Sequence, residues 1–267
     1  MKDVIYVENH YFVTVKENSI KFRNVIDKSE KFYLFEEIEA IIFDHYKSYF
    51  SHKLVIKCIE NDIAIIFCDK KHSPLTQLIS SYGMTHRLQR IQSQFQLSGR
   101  TRDRIWKKIV VNKIINQSKC LENNLHNENV KLLVNLAKDV SSGDKSNKEA
   151  QAARIYFKDL YGKQFKRGRY NDIINSGLNY GYSILRSFIK KELALHGFEM
   201  SLGIKHRSKE NPFNLADDII EVFRPFVDNI VYEIVFKNNI KTFDINEKKL
   251  LLNVTTKMRL RLYLYLK

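Results

Sequence analysis

The hydrophobic period changes once along this chain, and that change limits its fold more than any other feature. From Val4 to about Asp69, segments such as "VIYVENHYFVTVKENSIKFRNV" alternate β-branched or aromatic residues with polar ones, and Glu17-Asn18 falls where a hairpin would turn. "KFYLFEEIEAIIFD" and "LVIKCIENDIAIIFCD" read as further strands, the second turning at Glu60-Asn61-Asp62. After Pro74 the spacing becomes helical: "LTQLISSYGMTHRLQRIQSQFQ" leads out of the strands, and Ser98-Gly99 is the best boundary signal. Long amphipathic segments follow, among them "NVKLLVNLAKDV", "NKEAQAARIYFKDLYG", "RYNDIINSGLNYGYSILRSFIKKELALHG" and "FNLADDIIEVFRPFVDNIVYEIVF". The expected fold class is α+β: a small N-terminal β-sandwich or otherwise β-rich domain over 1–72, a connecting segment over 73–99, and a larger all-helical domain over 100–267.

At 267 residues and 44 % hydrophobic content, the chain can bury two cores of ordinary domain size. Its apolar runs, such as Ile63 to Cys68 and Leu250 to Leu252, fall far short of the roughly 20 residues a membrane-spanning helix needs. The first residues carry no signal-peptide pattern, so a cytoplasmic location without a membrane partner is expected. Cys58, Cys68 and Cys120 form no C-x-x-C pair and read as reduced, mostly buried thiols.

Charge is unevenly distributed. Residues 1–100 hold 14 Lys/Arg against 12 Asp/Glu, a net of +2, whereas residues 101–267 hold 31 against 18, a net of +13. Such a field attracts polyanions, with nucleic acid the first candidate and an anionic membrane surface a weaker one. A solubilising basic surface explains the composition equally well.

Within that basic half, "IKHRSKENPFNLADDIIEVFRP" at 204–225 gathers His206, Asp217, Asp218 and Glu221. In a helix, Asp218 and Glu221 lie on one face, where converging carboxylates need a Lys or Arg, a shared proton, or a divalent cation such as Mg²⁺ or Mn²⁺. His206 could add a nitrogen ligand or transfer a proton. The same acids also suit an exposed helix face near the positive end of its dipole. Glu149, in the first turn of a helix and flanked by Ala150, Ala152 and Ala153, is a candidate third carboxylate, though the dipole explains it too. Asp172, Asn175 and Asn179 recur at helical spacing and suggest support for a metal or phosphate site, or a solvated stripe. Basic loops at 163–169 and 205–209, with Lys145 and Lys148, border these pieces in a way that suits a phosphodiester substrate.

Together, "EAQAARIYF", "LNYGYSIL" and "GIKH" followed by "NPFNLADDIIEVFRP" resemble the CRISPR adaptation integrases, in the form found in type II systems. The resemblance extends from the β-rich start to about Asn239. It implies a homodimer acting with a small ferredoxin-like CRISPR-associated subunit in a heterohexamer, alongside other type II adaptation proteins. It implies a catalytic and metal-binding triad on Glu149, His206 and Glu221, with Asp218 as companion acid and Mg²⁺ or Mn²⁺ as cofactor. His206 would be ligand, general acid or both. The implied reaction is attack by the 3′-hydroxyl of a short captured double-stranded DNA on a phosphodiester at the border of a CRISPR repeat; with water as nucleophile the site would be an endonuclease. Arg169, Asn179, Lys205 and Arg207 are the implied DNA contacts. The terminal "RLRLYLYLK" reads as a strand, or as an altered or truncated terminus, where the resemblance implies a further helical segment.

Overall fold

In the computed structural model, which describes residues 2–70, 74–78, 87–125, 129–244 and 246–252, the alternating N-terminal residues form strands. They are β1 (Asp3–Val7), β2 (Tyr11–Lys16), β3 (Ser19–Asn24), β4 (Glu30–Leu34), β5 (Ile38–Phe43), β6 (Tyr49–Phe50), β7 (Ala64–Cys68) and β8 (Pro74–Leu78). Lys16 pairs with Ser19 across Glu17-Asn18, and Glu17 takes the positive φ of 52° that a two-residue hairpin requires. Two four-stranded sheets result, in the orders β1-β5-β7-β8 and β4-β3-β2-β6. β1, β5 and β7 pair in parallel, and every residue of β5 is buried, Glu39 included among its otherwise apolar residues. One apolar cluster draws Val13, Ile20 and Phe22 from one sheet and Val7, Ile38, Ile41, Phe43 and Ile65 from the other.

Two elements here differ from the sequence expectation. Leu54 to Ile59 belongs to a helix, α1 (His52–Glu60), not a strand. The Ser51 hydroxyl accepts from Leu54 N at 3.2 Å, and Leu54 and Cys58, one helical turn apart, bury in the same cluster. These features outweigh the strand preference of Val55, Ile56 and Ile59. Pro74–Leu78, expected to begin a helix, is instead the edge strand antiparallel to β7, where a proline can start a strand without removing a needed donor.

The chain divides into two compact units. The first holds the described residues up to Leu78 together with Ala194–Gly197, and the second holds Arg87–Leu193 and the described residues from Phe198 on. The second is built from α2 (Arg87–Gln96), α3 (Gly99–Asn124), α4 (Asn129–Lys138), α5 (Lys148–Tyr161), most of α6 (Ile173–Leu195), α7 (Asn214–Ile219), α8 (Arg224–Tyr232) and a helical stretch over 246–252. The 26-residue α3 is its axis, packed against α4, α5, α8 and the 3₁₀ turns at 142–144 and 220–222. α6 and α8 approach so closely that a Cβ on Gly181 would lie 2.5 Å from Val227 Cγ1. The segment "FNLADDIIEVFRPFVDNIVYEIVF" is not one helix: it passes from α7 through the 3₁₀ turn to α8, and Pro225 in the first turn of α8 accounts for the restart.

The three cysteines are buried and in no disulfide, and burial pushes the Cys58 and Cys120 thiols up to about 12. Among the described residues no helix is long and apolar enough to cross a membrane. The strand expected within 259–267 lies outside the described residues.

Candidate functional site

Glu149 and Glu221 meet on one lysine. Lys113, halfway along α3, places Nζ 2.6 Å from Glu149 Oε1 and 2.5 Å from Glu221 Oε2. Their positions follow from local structure. Gly143 and Asp144 both turn through positive φ, which brings the Asp144 carboxylate back over the start of α5, where it accepts from Lys148 N at 2.8 Å and Glu149 N at 3.0 Å. Asp144 thereby satisfies the helix end, and the Glu149 side chain is left to reach across to α3. Glu221 sits in the 3₁₀ turn ahead of α8, where Arg224 Nε donates to Oε1 at 2.8 Å.

The charges are mutually dependent. Burial pushes the Glu221 carboxyl up, but the Lys113 and Arg224 charges outweigh it and hold the group below the ordinary carboxylate range. Burial likewise pulls the Lys113 ammonium down, and Glu221 and Glu149 together hold it above its ordinary value. Arg224 in turn lies over the Tyr182 ring, 4.4 Å from its centroid.

His206 is fixed by Asp218, which is fully buried. Asp218 Oδ2 accepts from Ile204 N at 2.5 Å and Lys205 N at 3.0 Å; Oδ1 accepts from His206 N at 3.1 Å and lies 2.7 Å from His206 Nδ1. Gly203 makes this clasp possible, since a Cβ there would lie 2.2 Å from the His206 carbonyl oxygen. Asn214 closes the loop by donating to the carbonyls of Ser201 and Ser208 at 3.1 and 2.9 Å. The hydrogen bond to Asp218 raises the imidazole's affinity for a proton, burial opposes it, and the charges of Asp218 and Glu221 add to it. With Nδ1 committed to a carboxylate, Nε2 is the nitrogen available to a ligand. The ring meets Trp106 edge-on at 6.2 Å. Trp106 and Lys113 are two turns apart on one face of α3, about 10 Å along its axis at 1.5 Å per residue. His206 and the glutamate pair therefore look onto the same helix face at neighbouring levels.

Among the described residues, no three His, Cys, Asp or Glu side chains already stand close enough together to hold a metal ion. The chemistry of the donor set nonetheless suits one: two carboxylates converge on a single cationic point, and a carboxylate-oriented imidazole looks onto the same face of α3. The sequence pairing of Asp218 with Glu221 takes another form. Asp218 is turned toward the 204–206 loop while Glu221 faces Lys113, so the two do not share a partner.

The polar stripe on α6 also has a structural occupation. Asn175 donates to Lys166 O at 2.9 Å and accepts from Gly168 N and Arg167 Nη1, and Asp172 accepts from Asn175 N at 2.8 Å. Asn179 Oδ1 accepts from Arg167 Nη2 at 2.7 Å. These side chains hold the "KRGR" loop, on which Arg169 is exposed. Lys205 and Arg207 are exposed beside His206, and Arg207 lines an open groove with Arg102, Lys209 and Asn211. Sequence reasoning missed Lys113, Asp144 and Arg224. A signal for Lys113 existed: it lies three residues after Val110 and four before Gln117, both buried, where a cation needs a partner.

The profile of the family described as CRISPR associated protein Cas1 matches residues 5–261. A relative named CRISPR-associated endonuclease Cas1, from Neisseria meningitidis serogroup C, is 36 % identical over 207 residues, covering 77 % of this chain and 67 % of the relative. Among solved structures, a casposase bound to integration product superposes with a TM-score of 0.77 at 18 % identity, over 96 % of this chain and 82 % of that one. A Cas1 protein from Thermotoga maritima does so with a TM-score of 0.76 at 16 % identity, over 98 % and 91 %. These two likenesses are of fold.

Proposed function

The chain belongs to the family of CRISPR-associated protein Cas1, and from that premise we propose that it is a divalent-metal-dependent DNA integrase and endonuclease that inserts short captured DNA into a CRISPR array. The observation that carries this reading is the convergence of Glu149 and Glu221 on one cation beside a histidine anchored to a buried carboxylate, within a strongly basic half of the chain.

In this reading Glu149 and Glu221, with Nε2 of His206 as the third candidate ligand, would hold the ion, Mg²⁺ or Mn²⁺, which when bound would supply Lewis-acid polarisation of the reacting phosphodiester. Asp218 keeps Nδ1 of His206 occupied and sets the direction of Nε2, so it positions the imidazole rather than meeting the cation. With Nδ1 on Asp218, His206 has one nitrogen for the chemistry: where Nε2 is off the ion it would instead take the proton from the attacking 3′-hydroxyl or return one to the leaving oxygen, as one phosphorus–oxygen bond forms and another breaks. Water in place of the hydroxyl makes the same step hydrolysis. Arg169, Lys205 and Arg207 bind phosphates flanking the reaction, and Asn179 acts through Arg167, holding the loop that presents Arg169.

The same reading includes the expected domain division, with the two sheets as an N-terminal β-sandwich domain over 1–72, a connection over 73–99 and a helical catalytic and DNA-binding domain over 100–267. It includes a homodimer that works with the small ferredoxin-like subunit on captured and repeat DNA, and with other type II adaptation proteins. The test is strand joining of a short 3′-hydroxyl duplex into a plasmid carrying a CRISPR repeat, with the small partner present, in Mn²⁺ or EDTA. Joining that requires both metal and Glu221 is the expected result. Binding of DNA without joining in metal would instead identify a non-catalytic nucleic-acid-binding protein.

A further inference from the structure

Lys113 stands where a divalent cation would have to stand. Its side chain is 12 % exposed, and the two carboxylates it joins come from segments 36 and 108 residues away along the chain. Without a cation between them, Glu149 and Glu221 would repel one another in a poorly hydrated site. The ammonium therefore does in this structure what a metal ion does elsewhere: it makes a buried and a half-buried carboxylate compatible.

The substitution of one cation for the other is geometrically small. Carboxylate oxygens at 2.5 and 2.6 Å from the nitrogen need to close by only about half an ångström to reach the 2.0–2.1 Å of a Mg²⁺ ligand. Arg224 is on the opposite oxygen of Glu221, Oε1, and holds that side chain in place during the exchange, whereas Oε2 is the atom facing Lys113. An ammonium and a divalent ion cannot share the cradle. A lysine, with a point charge on a flexible four-carbon stem, can leave it where a forked guanidinium would be harder to dislodge.

We propose that Lys113 is a built-in competitor for the metal: its ammonium holds Glu149 and Glu221 together in the metal-free protein and withdraws when a divalent cation enters. The proposal rests on the assignment of Glu149 and Glu221 as ligands made above. It gives a specific role to a residue outside the family triad, and it makes the apparent metal affinity the result of an exchange. If Lys113 occupies the cradle in most molecules, only the remaining fraction is competent to bind, and the affinity is lowered by that fraction.

The measurement is Mn²⁺ binding, followed by the loss of the free-ion signal in electron paramagnetic resonance, for the full-length wild type, Lys113→Met and Glu221→Gln, with thermal unfolding in EDTA and in Mn²⁺. The expected result is that Lys113→Met binds Mn²⁺ at least about tenfold more tightly than wild type, unfolds at a lower temperature in EDTA, and regains the difference in Mn²⁺. Equal or weaker Mn²⁺ binding by a folded Lys113→Met, with wild-type binding that is lost in Glu221→Gln, overturns the exchange and leaves the ligand assignment standing. No Mn²⁺ binding by either wild type or Lys113→Met overturns both. If Lys113→Met does not fold in EDTA, Lys113→Gln serves beside it: folding restored to either by Mn²⁺ supports the exchange, and failure of both in Mn²⁺ shows a structural lysine that a metal does not replace.

Discussion

Glu221, in the 3₁₀ turn, and Asp228, seven residues on in α8, are both buried, and the protein meets their charge by opposite means. Glu221 is met by full positive charges, Lys113 and Arg224, and is held ionised below the ordinary carboxylate range. Asp228 is met by hydroxyls: Tyr156 donates to Oδ2 at 2.9 Å, Tyr182 donates a short hydrogen bond to Oδ1, and Tyr161 donates to its carbonyl oxygen. Burial pushes Asp228 up to about 6, and the two tyrosine hydrogen bonds only limit the rise. Cationic help reaches it indirectly, through Arg224 and Arg167 lying over the Tyr182 ring at 4.4 and 5.2 Å. The difference separates two purposes. On the proposed reading, a carboxylate that exchanges cations is kept charged by a fixed arginine and a lysine that can let go, while the carboxylate that ties α5, α6 and α8 together is given hydroxyl partners from two of those helices.

Four experiments can break or sharpen this comparison, in descending order of effect. Glu221→Gln keeps the volume and an acceptor for Arg224 but removes the charge; strand joining is expected to fall by at least about a thousandfold with a melting temperature within a few degrees of wild type. A large loss of stability with retained joining would reverse the roles assigned to the two acids. Asp228→Ala leaves two tyrosine hydroxyls without their acceptor and opens a small cavity, so a loss of about 3 kcal/mol in denaturant unfolding is expected.

The third experiment is a pH series. Asp228 binds its proton more tightly in the folded protein, at about 6, than at its ordinary 3.8, so the folded state holds the extra proton between those values. Its contribution therefore favours folding at low pH and declines as pH rises through that window. At about 1.4 kcal/mol per pH unit, the decline approaches about 3 kcal/mol. Asp228→Asn cannot ionise, and the difference in stability between wild type and this variant should follow that curve; a pH-independent difference would refute the assignment. The smallest effect belongs to Arg207→Ala, which is expected to weaken DNA binding about two- to fivefold and reduce the slope of log affinity against log salt by about one.

What could be read from the sequence depended on whether its signal was local. The Glu17-Asn18 hairpin was legible because strand alternation and turn chemistry agree within a dozen residues. Helices α5 and α6 were legible from their spacing. The strand expectation for Leu54 to Ile59 failed where β-branched residues and helical spacing conflicted, and tertiary burial of Leu54 and Cys58 decided the outcome. In the site, Glu149, His206 and Glu221 stood out as chemistry-bearing residues, but their partners did not. Asp218 looked like a second acid facing Glu221, since its engagement by three backbone N–H groups of a loop leaves no trace in spacing. Asp172, Asn175 and Asn179 looked available for a ligand because the loop that uses them is folded back from the preceding segment. Lys113 was illegible as a partner for Glu221, because a charge pair between distant segments has no local pattern.

That same separation, 108 residues between Lys113 and Glu221, has a consequence for the order in which the protein is made. Contacts between distant segments carry the largest loop-closure cost and form late in folding. On the ribosome, α3 and α5 emerge with Lys113 and Glu149 before the loop of His206 or the turn of Glu221 exists. A nascent or truncated chain ending ahead of that turn carries much of the basic sequence but only part of the proposed ligand set. On the proposed function, the ability to hold DNA would thus arise earlier in synthesis than the ability to cut or join it.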